Sequence, residues 1–197
     1  MTWQETKQCI RADLWRYGRE AGWNAWVQAF RFEPGFRLTL LMRLCRFTRG
    51  KGWLRWTAYP FLRFWFNRLS MKLHTFMDPL AEIGPGLNIG HPFVIILNHR
   101  VVIGCNCTIA HQVTLGSRAR GDKRGCPVIG DRVYIGPGAK VFGNITIGND
   151  AAIGANAVVT ADVPAGGVVA GVPAKLISMK GSEGYVTDIE PDPKESR

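Results

Sequence analysis

The sequence is short of the features that would send a chain out of the cell or into a membrane. Met1 to Leu14 is polar and charged and holds no apolar stretch of the kind a cleavable export signal needs. The expectation is therefore a cytoplasmic protein. No run reaches the roughly 20 apolar residues of a spanning helix. The five cysteines, Cys9, Cys45, Cys105, Cys107 and Cys126, are odd in number and show no C-x-x-C spacing, which argues against a disulfide framework and against a metal site. No recognised DNA or RNA module accompanies the net charge of +10, so nucleic acid is not the expected partner. Net charge is absent from the second part of the chain. Residues 1–75 carry 14 Lys/Arg against 4 Asp/Glu, whereas the remainder carries 11 of each.

What the chain has is a six-residue repeat. Aliphatic residues stand at Ile83, Ile89 and Ile95, at Ile103, Ile109 and Leu115, and at Ile129, Ile135, Val141, Ile147, Ile153 and Val159. A second set four positions on is also small or apolar: Leu87, Phe93, Cys107, Val113, Val133, Ala139, Ile145, Ala151 and Ala157. Neither the 3.6-residue period of a helix nor the two-residue period of a strand produces this. A hexad that buries the same position each time is one short side of a coil, and three sides close a triangular prism. Glycine or another small residue follows most members of the first set, where a tight corner is expected. Rungs stack at about 4.8 Å and the aliphatic column forms a continuous core. The fold expected is an α + β-solenoid, a parallel β-helix behind a helical segment.

Three units follow: a basic helical domain over 1–75 that holds all seven tryptophans, a β-helix over 76–178, and a polar, disordered tail over 179–197. Helices are expected from Trp3 to Arg19, from there to Phe32, from Phe36 to Phe47, and from Trp53 to His74 with an interruption at Pro60. Over residues 53–72 the face Trp53, Trp56, Phe61, Phe64, Trp65 and Leu69 alternates with Arg55, Arg63, Arg68 and Lys72. Such a stripe either packs against other helices or a second subunit, or lies on an anionic membrane surface.

Two breaks in the hexad point to a site. Ile95 to Ile103 is eight residues, read as a two-residue insertion at Asn98-His99-Arg100, and the cationic stretch from Ser117 to Cys126 projects as a loop. His91 and His111 each occupy the third position of a hexad one coil apart, so they should stack on one side, with His99 between them. Histidine is suited to take a proton from an attacking alcohol.

The run Ile83-Gly-Pro-Gly-Leu-Asn-Ile-Gly-His91, the segment Ile103-Gly-Cys-Asn-Cys-Thr-Ile-Ala-His111, and the closing Ala170-Gly-Val-Pro-Ala-Lys175 resemble hexapeptide-repeat acyltransferases. The resemblance is to the serine acetyltransferase branch, and most to its exopolysaccharide and colanic-acid-type O-acetyltransferase relatives. It covers about residues 8–178 and includes Ile10-Arg-Ala-Asp13 and Pro34-Gly-Phe-Arg-Leu-Thr-Leu-Leu-Met-Arg43. It implies a left-handed β-helix, a homotrimer, and acetyl transfer from acetyl-CoA with His91 as general base and His111 as a candidate assistant. Gly116, Ala139, Ala157 and Lys175 would meet the coenzyme, with the basic loop near its phosphates.

Departures from the branch bear on the acceptor. Serine acetyltransferases carry an Asp immediately before the catalytic His, where this chain has Gly90. Their orienting carboxylate aligns near Phe76, two positions from Asp78, and the later loop His aligns with Cys126. A further substrate Asp aligns near Glu20 or Ala21. A buried ammonium without an anion costs several kcal/mol. The reading preferred on these grounds is a sugar hydroxyl of a surface or exported polysaccharide. The alternatives are serine as acceptor and a non-catalytic β-helix scaffold.

Overall fold

A computed structural model describes residues 1–18 and 22–190. Among the described residues four helices come first, α1 (Trp3–Gly18), α2 (Trp23–Phe32), α3 (Pro34–Arg49) and α4 (Ala58–Lys72), with a 3₁₀ turn at Trp53–Arg55. Glu33 is extended and Pro34 opens α3, where a missing N–H costs nothing. Pro60 does not interrupt the last helix as expected. It lies in the first turn of α4, where no N–H bond is lost.

Among the described residues fourteen short strands follow. They stack as β1-β4-β7-β10 (Glu82–Ile83, Val102–Ile103, Val128–Ile129, Thr146–Ile147), as β2-β5-β8-β11-β13 (Asn88–Ile89, Thr108–Ile109, Tyr134–Ile135, Ala152–Ile153, Val168–Ala170), and as β3-β6-β9-β12 (Ile96–Leu97, Thr114–Gly116, Lys140–Phe142, Val158–Val159). All these pairings are parallel. β14 (Lys175–Ser178) runs antiparallel, on β13. The three faces make the parallel β-helix that the hexads predict.

Register moves the first break. Leu97 aligns with Leu115, and Ile96 with Thr114. Leu97 therefore belongs to the aliphatic column, and Ile95 to the second inward set with Val113, Ala139 and Ala157, all fully buried. The two extra residues lie between Ile89 and Leu97, in the corner that holds His91. Asn98-His99-Arg100 is an ordinary hexad corner.

The small residues after the column also have a different reason from the one expected. A Cβ on Gly84 would sit 2.7 Å from the Gly104 carbonyl carbon, and one on Gly104 would sit 2.6 Å from the Gly130 carbonyl oxygen. Glycine there lets successive coils approach. The left-handed corner conformations fall mostly to residues such as Asn106, Gln112, Arg132, Asp150 and Asn156.

The helices cover the first coil, whose upper edge would otherwise expose unpaired backbone groups. Arg43 of α3 and Asp13 of α1 form a fully buried ion pair, with Nε to Oδ2 at 2.9 Å and Nη2 to Oδ1 at 3.1 Å. Arg43 also donates to the Ile83 and Gly84 carbonyls, each at 2.6 Å, and Asp13 accepts from the Leu87 N–H at 3.0 Å. Leu38, Met42, Cys45 and Phe66 join the same apolar cluster as Ile83, Leu87 and the columns beyond.

Residues 179–190 are not the solvated end expected. Ser182 is buried, donates to the Arg132 carbonyl at 2.6 Å, and takes part in a backbone bond to Asp150 at 2.8 Å. Tyr185 stacks on Tyr134 with centroids 4.6 Å apart, and Glu190 pairs with Arg11 of the helical part. Aromatic stacking and one charge partner hold a segment whose composition suggested disorder.

Replacing Asp13 by Ala leaves a buried guanidinium without its anion. A loss of about 3–5 kcal/mol is expected, read from urea or guanidinium unfolding midpoints; a loss of under about 1 kcal/mol would show that the pair is not a structural anchor.

Candidate active site

The corner between β2 and β3 is wider than its counterparts and is pinned from outside. Thr75 donates to the Pro92 carbonyl at 2.6 Å, and the Val94 N–H donates to the Leu73 carbonyl at 3.2 Å. The Phe93 N–H closes a tight turn on the His91 carbonyl at 2.8 Å, and Val94 takes a left-handed φ of 58°. His91 is exposed on this corner.

From the other side, Tyr17 of α1 brackets the residue two before it. The Ile89 N–H donates to the Tyr17 hydroxyl at 3.0 Å, and the hydroxyl donates to the Ile89 carbonyl at 3.3 Å. Burial pushes the Tyr17 hydroxyl well above its ordinary pKa, so it remains a neutral donor. Gly35, the second residue of α3, allows the close approach: a Cβ there would lie 2.0 Å from the Ile89 carbonyl oxygen and 2.7 Å from the Tyr17 hydroxyl.

His91 and His111 come together as the hexad spacing predicts. Their rings are 6.2 Å apart at 64°. Among the described residues no carboxylate forms a hydrogen bond or ion pair with either. Asp78, the acid nearest the aligned orienting position, pairs instead with Arg63 at 3.4 Å and caps the Leu80 N–H at 2.9 Å. Phe76 stands at the aligned position itself and bridges Ile96. Glu20 and Ala21 lie outside the described residues.

His99 and the basic loop are at a different edge. His91 and His111 follow β2 and β5, whereas His99 and the segment Ser117–Cys126 follow β3 and β6. The expectation that His99 lies between the other two histidines does not hold, because the insertion that would have placed it there is at His91. The loop folds into a small hairpin, Arg118 opposite Gly125, and Lys123 pairs with Asp162 on a later coil. With Arg100 it lines a cavity of about 480 Å³ that also holds Cys126.

The coenzyme candidates divide. Gly116 ends β6 beside the Phe142 ring, where an added Cβ would lie 2.4 Å from a ring carbon, so no side chain fits. Lys175 is exposed at the start of β14. Ala139 and Ala157 have fully buried side chains in the prism core. Their carbonyls accept from the Thr114 and Lys140 N–H groups at 3.0 and 2.8 Å. Neither alanine can offer its side chain to a ligand on the outer surface, since the second inward set fills the prism.

Burial raises all five thiols, Cys45 to about 11 and Cys107 to about 12. Each is a protonated thiol at neutral pH and a poor nucleophile. Among the described residues no group of three His, Cys, Asp or Glu is placed to hold a metal ion. The chemistry the corner can perform is proton transfer by an exposed imidazole beside a second one.

Comparison with known proteins agrees with this architecture. Residues 126–161 match the family described as bacterial transferase hexapeptide (six repeats). The serine acetyltransferase of Helicobacter pylori J99 is 44% identical over 102 residues, which are 52% of this chain and 60% of that protein. The Neisseria gonorrhoeae serine acetyltransferase solved in complex with serine aligns with a TM-score of 0.73 at 34% identity, covering 89% of this chain and 70% of that one. A serine acetyltransferase solved in complex with CoA aligns at 0.71 and 28% identity, covering 89% and 71%. None of these relatives bears the name of a polysaccharide acetyltransferase. The chain spans 60% of the length of the Helicobacter relative and 44% of that of the Mycobacterium tuberculosis relative.

A glycine scan of the corner tests the geometry. Gly35→Ala is expected to cost about 1–3 kcal/mol through overpacking. Gly90→Asp, whose Cβ would meet only the Asn88 Oδ1 at 3.9 Å, should change stability by no more than about 0.5 kcal/mol. Denaturant titration of both variants checks the order, and the reverse order would contradict the placement of α3 on Ile89. By its repeat, its helical cap and its match over most of a solved relative, the chain belongs to the serine acetyltransferase family of hexapeptide-repeat transferases.

Proposed function

We propose that the chain transfers an acetyl group from acetyl-CoA to an acceptor hydroxyl, with His91 as general base. The observation that carries the reading is His91 itself, exposed on a widened and doubly pinned corner, at the position where the family places its base. The imidazole takes the hydroxyl proton as the oxygen attacks the thioester carbonyl. The tetrahedral intermediate collapses, the C–S bond breaks, and the proton passes to the departing CoA sulfur. The thioester is already activated, so positioning and proton transfer suffice. The raised thiols argue against a cysteine-bound acetyl intermediate. His111, 6.2 Å away, is the candidate second group.

A left-handed winding and a homotrimer belong to the same reading. The histidine corner and the basic loop occupy different edges of one prism, so bringing them together takes a second copy. A three-fold ring does this with one repeated contact. Gly116 and Lys175 would then flank the coenzyme, with the loop arginines near its phosphates.

Two acceptors are in play, each with its own support. L-serine has the names of the relatives behind it, one of them solved with serine bound. A sugar hydroxyl has Gly90 behind it, together with the lack of any carboxylate bonded to His91 or His111 among the described residues. An acceptor without an ammonium needs no anion in the site. The comparisons lend the sugar reading nothing.

Transfer from labelled acetyl-CoA by the purified chain, with L-serine and a panel of soluble and lipid-linked saccharides, decides between them. His91→Ala should lower transfer by about 100-fold or more while CoA still binds. In the Gly90→Asp variant, a gain on serine would mark the missing acid as the selectivity element. Neither CoA binding nor transfer to any acceptor would favour the scaffold alternative, and undiminished transfer in His91→Ala would refute the base assignment.

A further inference from the structure

Of the rings in residues 53–72 Phe66 is buried, but those of the stripe do not pack away into the protein. Trp53 and Trp56 are 72% and 78% exposed, and Phe61 and Phe64 are 63% and 59% exposed. Phe30 of α2 is exposed beside Phe61 and Trp65. Between α2, α3 and α4 lies a groove of about 840 Å³, lined by Phe30, Phe61 and Trp65 together with Arg37, Arg68 and Lys72. The Arg37 Nε is buried there with no hydrogen-bond partner among the described residues.

Charge identifies what fits this face. From Pro34 to Met77 the sequence holds nine Lys/Arg and not one Asp or Glu. Of these, Arg43 is committed to Asp13, and Arg63 to Asp78 at the helix's other side. Arg55 lies over the Trp56 ring at 5.5 Å, which keeps a cation beside an exposed indole. A second copy of the chain meeting this face across a two-fold axis would press cations against cations. A surface of phosphate groups over hydrocarbon matches both components, because basic side chains meet the phosphates and the rings enter the boundary below them. Among the described residues no helix is long and apolar enough to cross a membrane, so the contact would be one of lying on the surface.

We infer that the α2–α4 face seats the protein on an anionic phospholipid surface, with the Arg37–Arg68–Lys72 groove receiving a lipid phosphate and the exposed rings entering beside it. This contact is separate from the acetyl-transfer corner and does not depend on it.

Co-sedimentation of the full chain with vesicles tests the inference. One set is phosphatidylcholine alone and the other is phosphatidylcholine mixed equally with phosphatidylglycerol. The chain should sediment with the mixed vesicles and stay in solution with the neutral ones. Reversing two charges, in Arg68→Glu with Lys72→Glu, should weaken binding by about 30-fold or more, and Phe61→Ser with Trp65→Ser should weaken it as well. Thermal unfolding confirms that each variant is folded, and Arg68→Gln alone serves if the double reversal is not. His91→Ala should bind vesicles like the parent chain, so failure of the acetyl-transfer reading and failure of this one are read separately. Equal binding to both vesicle types, binding to neither, full competition by inorganic phosphate, or a concentration-dependent dimer buried through Trp53 and Trp56 would overturn the inference.

Discussion

The buried pair of Asp13 and Arg43 is the interaction on which the rest of the molecule depends. A β-helix built from hexads satisfies its backbone from coil to coil, but its first coil has no coil above it. An uncovered edge is both a loss of hydrogen bonds and a template for unwanted pairing. Here each side of that coil is closed by a different device. Arg43 takes the Ile83 and Gly84 carbonyls, Asp13 and Tyr17 take the Leu87 and Ile89 N–H groups, and Phe76 exchanges backbone bonds with Ile95 and Leu97. A buried ion pair is not in general a source of net stability. What this one supplies is placement, since neither partner can be satisfied unless α1, α3 and the first coil stand in one arrangement.

That arrangement reaches the chemistry. Ile89, two residues before His91, is held between the Tyr17 hydroxyl and the N-terminus of α3, and the segment after His91 is tied to Leu73 and Thr75 below α4. The widened corner is thus clamped on both sides by the helical part. The equivalent corners of later coils, β5 to β6, β8 to β9 and β11 to β12, keep the plain six-residue spacing. The helical part serves two ends, covering the solenoid and fixing the widened corner that holds His91.

The prism was legible in the sequence because a six-residue period survives over many coils and each rung repeats the same burial. His91 and His111 were legible for the same reason, since equal hexad positions must stack. The location of the insertion was not. Ile95 and Leu97 are both apolar and both inward, and only strand pairing tells which one is in the column. Asp13, Arg43 and Gly35 stood within motifs that matched the family, yet the hydrogen-bond partners of Asp13 and Arg43 lie 30 to 74 residues away, beyond any local pattern. The burial of Ala139 and Ala157 follows from the second inward set and could have been foreseen. The order in residues 179–190 could not, as it rests on Tyr134 and Arg11.

Above all, the helical cap sets the geometry of the His91 corner, and Tyr17→Phe tests this with the loss of one oxygen. Turnover and CoA affinity should be measured together on the folded variant, using whichever acceptor the chain accepts. A clamp of this kind predicts a kcat lower by about 10-fold or more, because a misplaced base loses its alignment, with CoA binding unchanged. An unchanged kcat in a variant that has lost both bonds to Ile89 would contradict it.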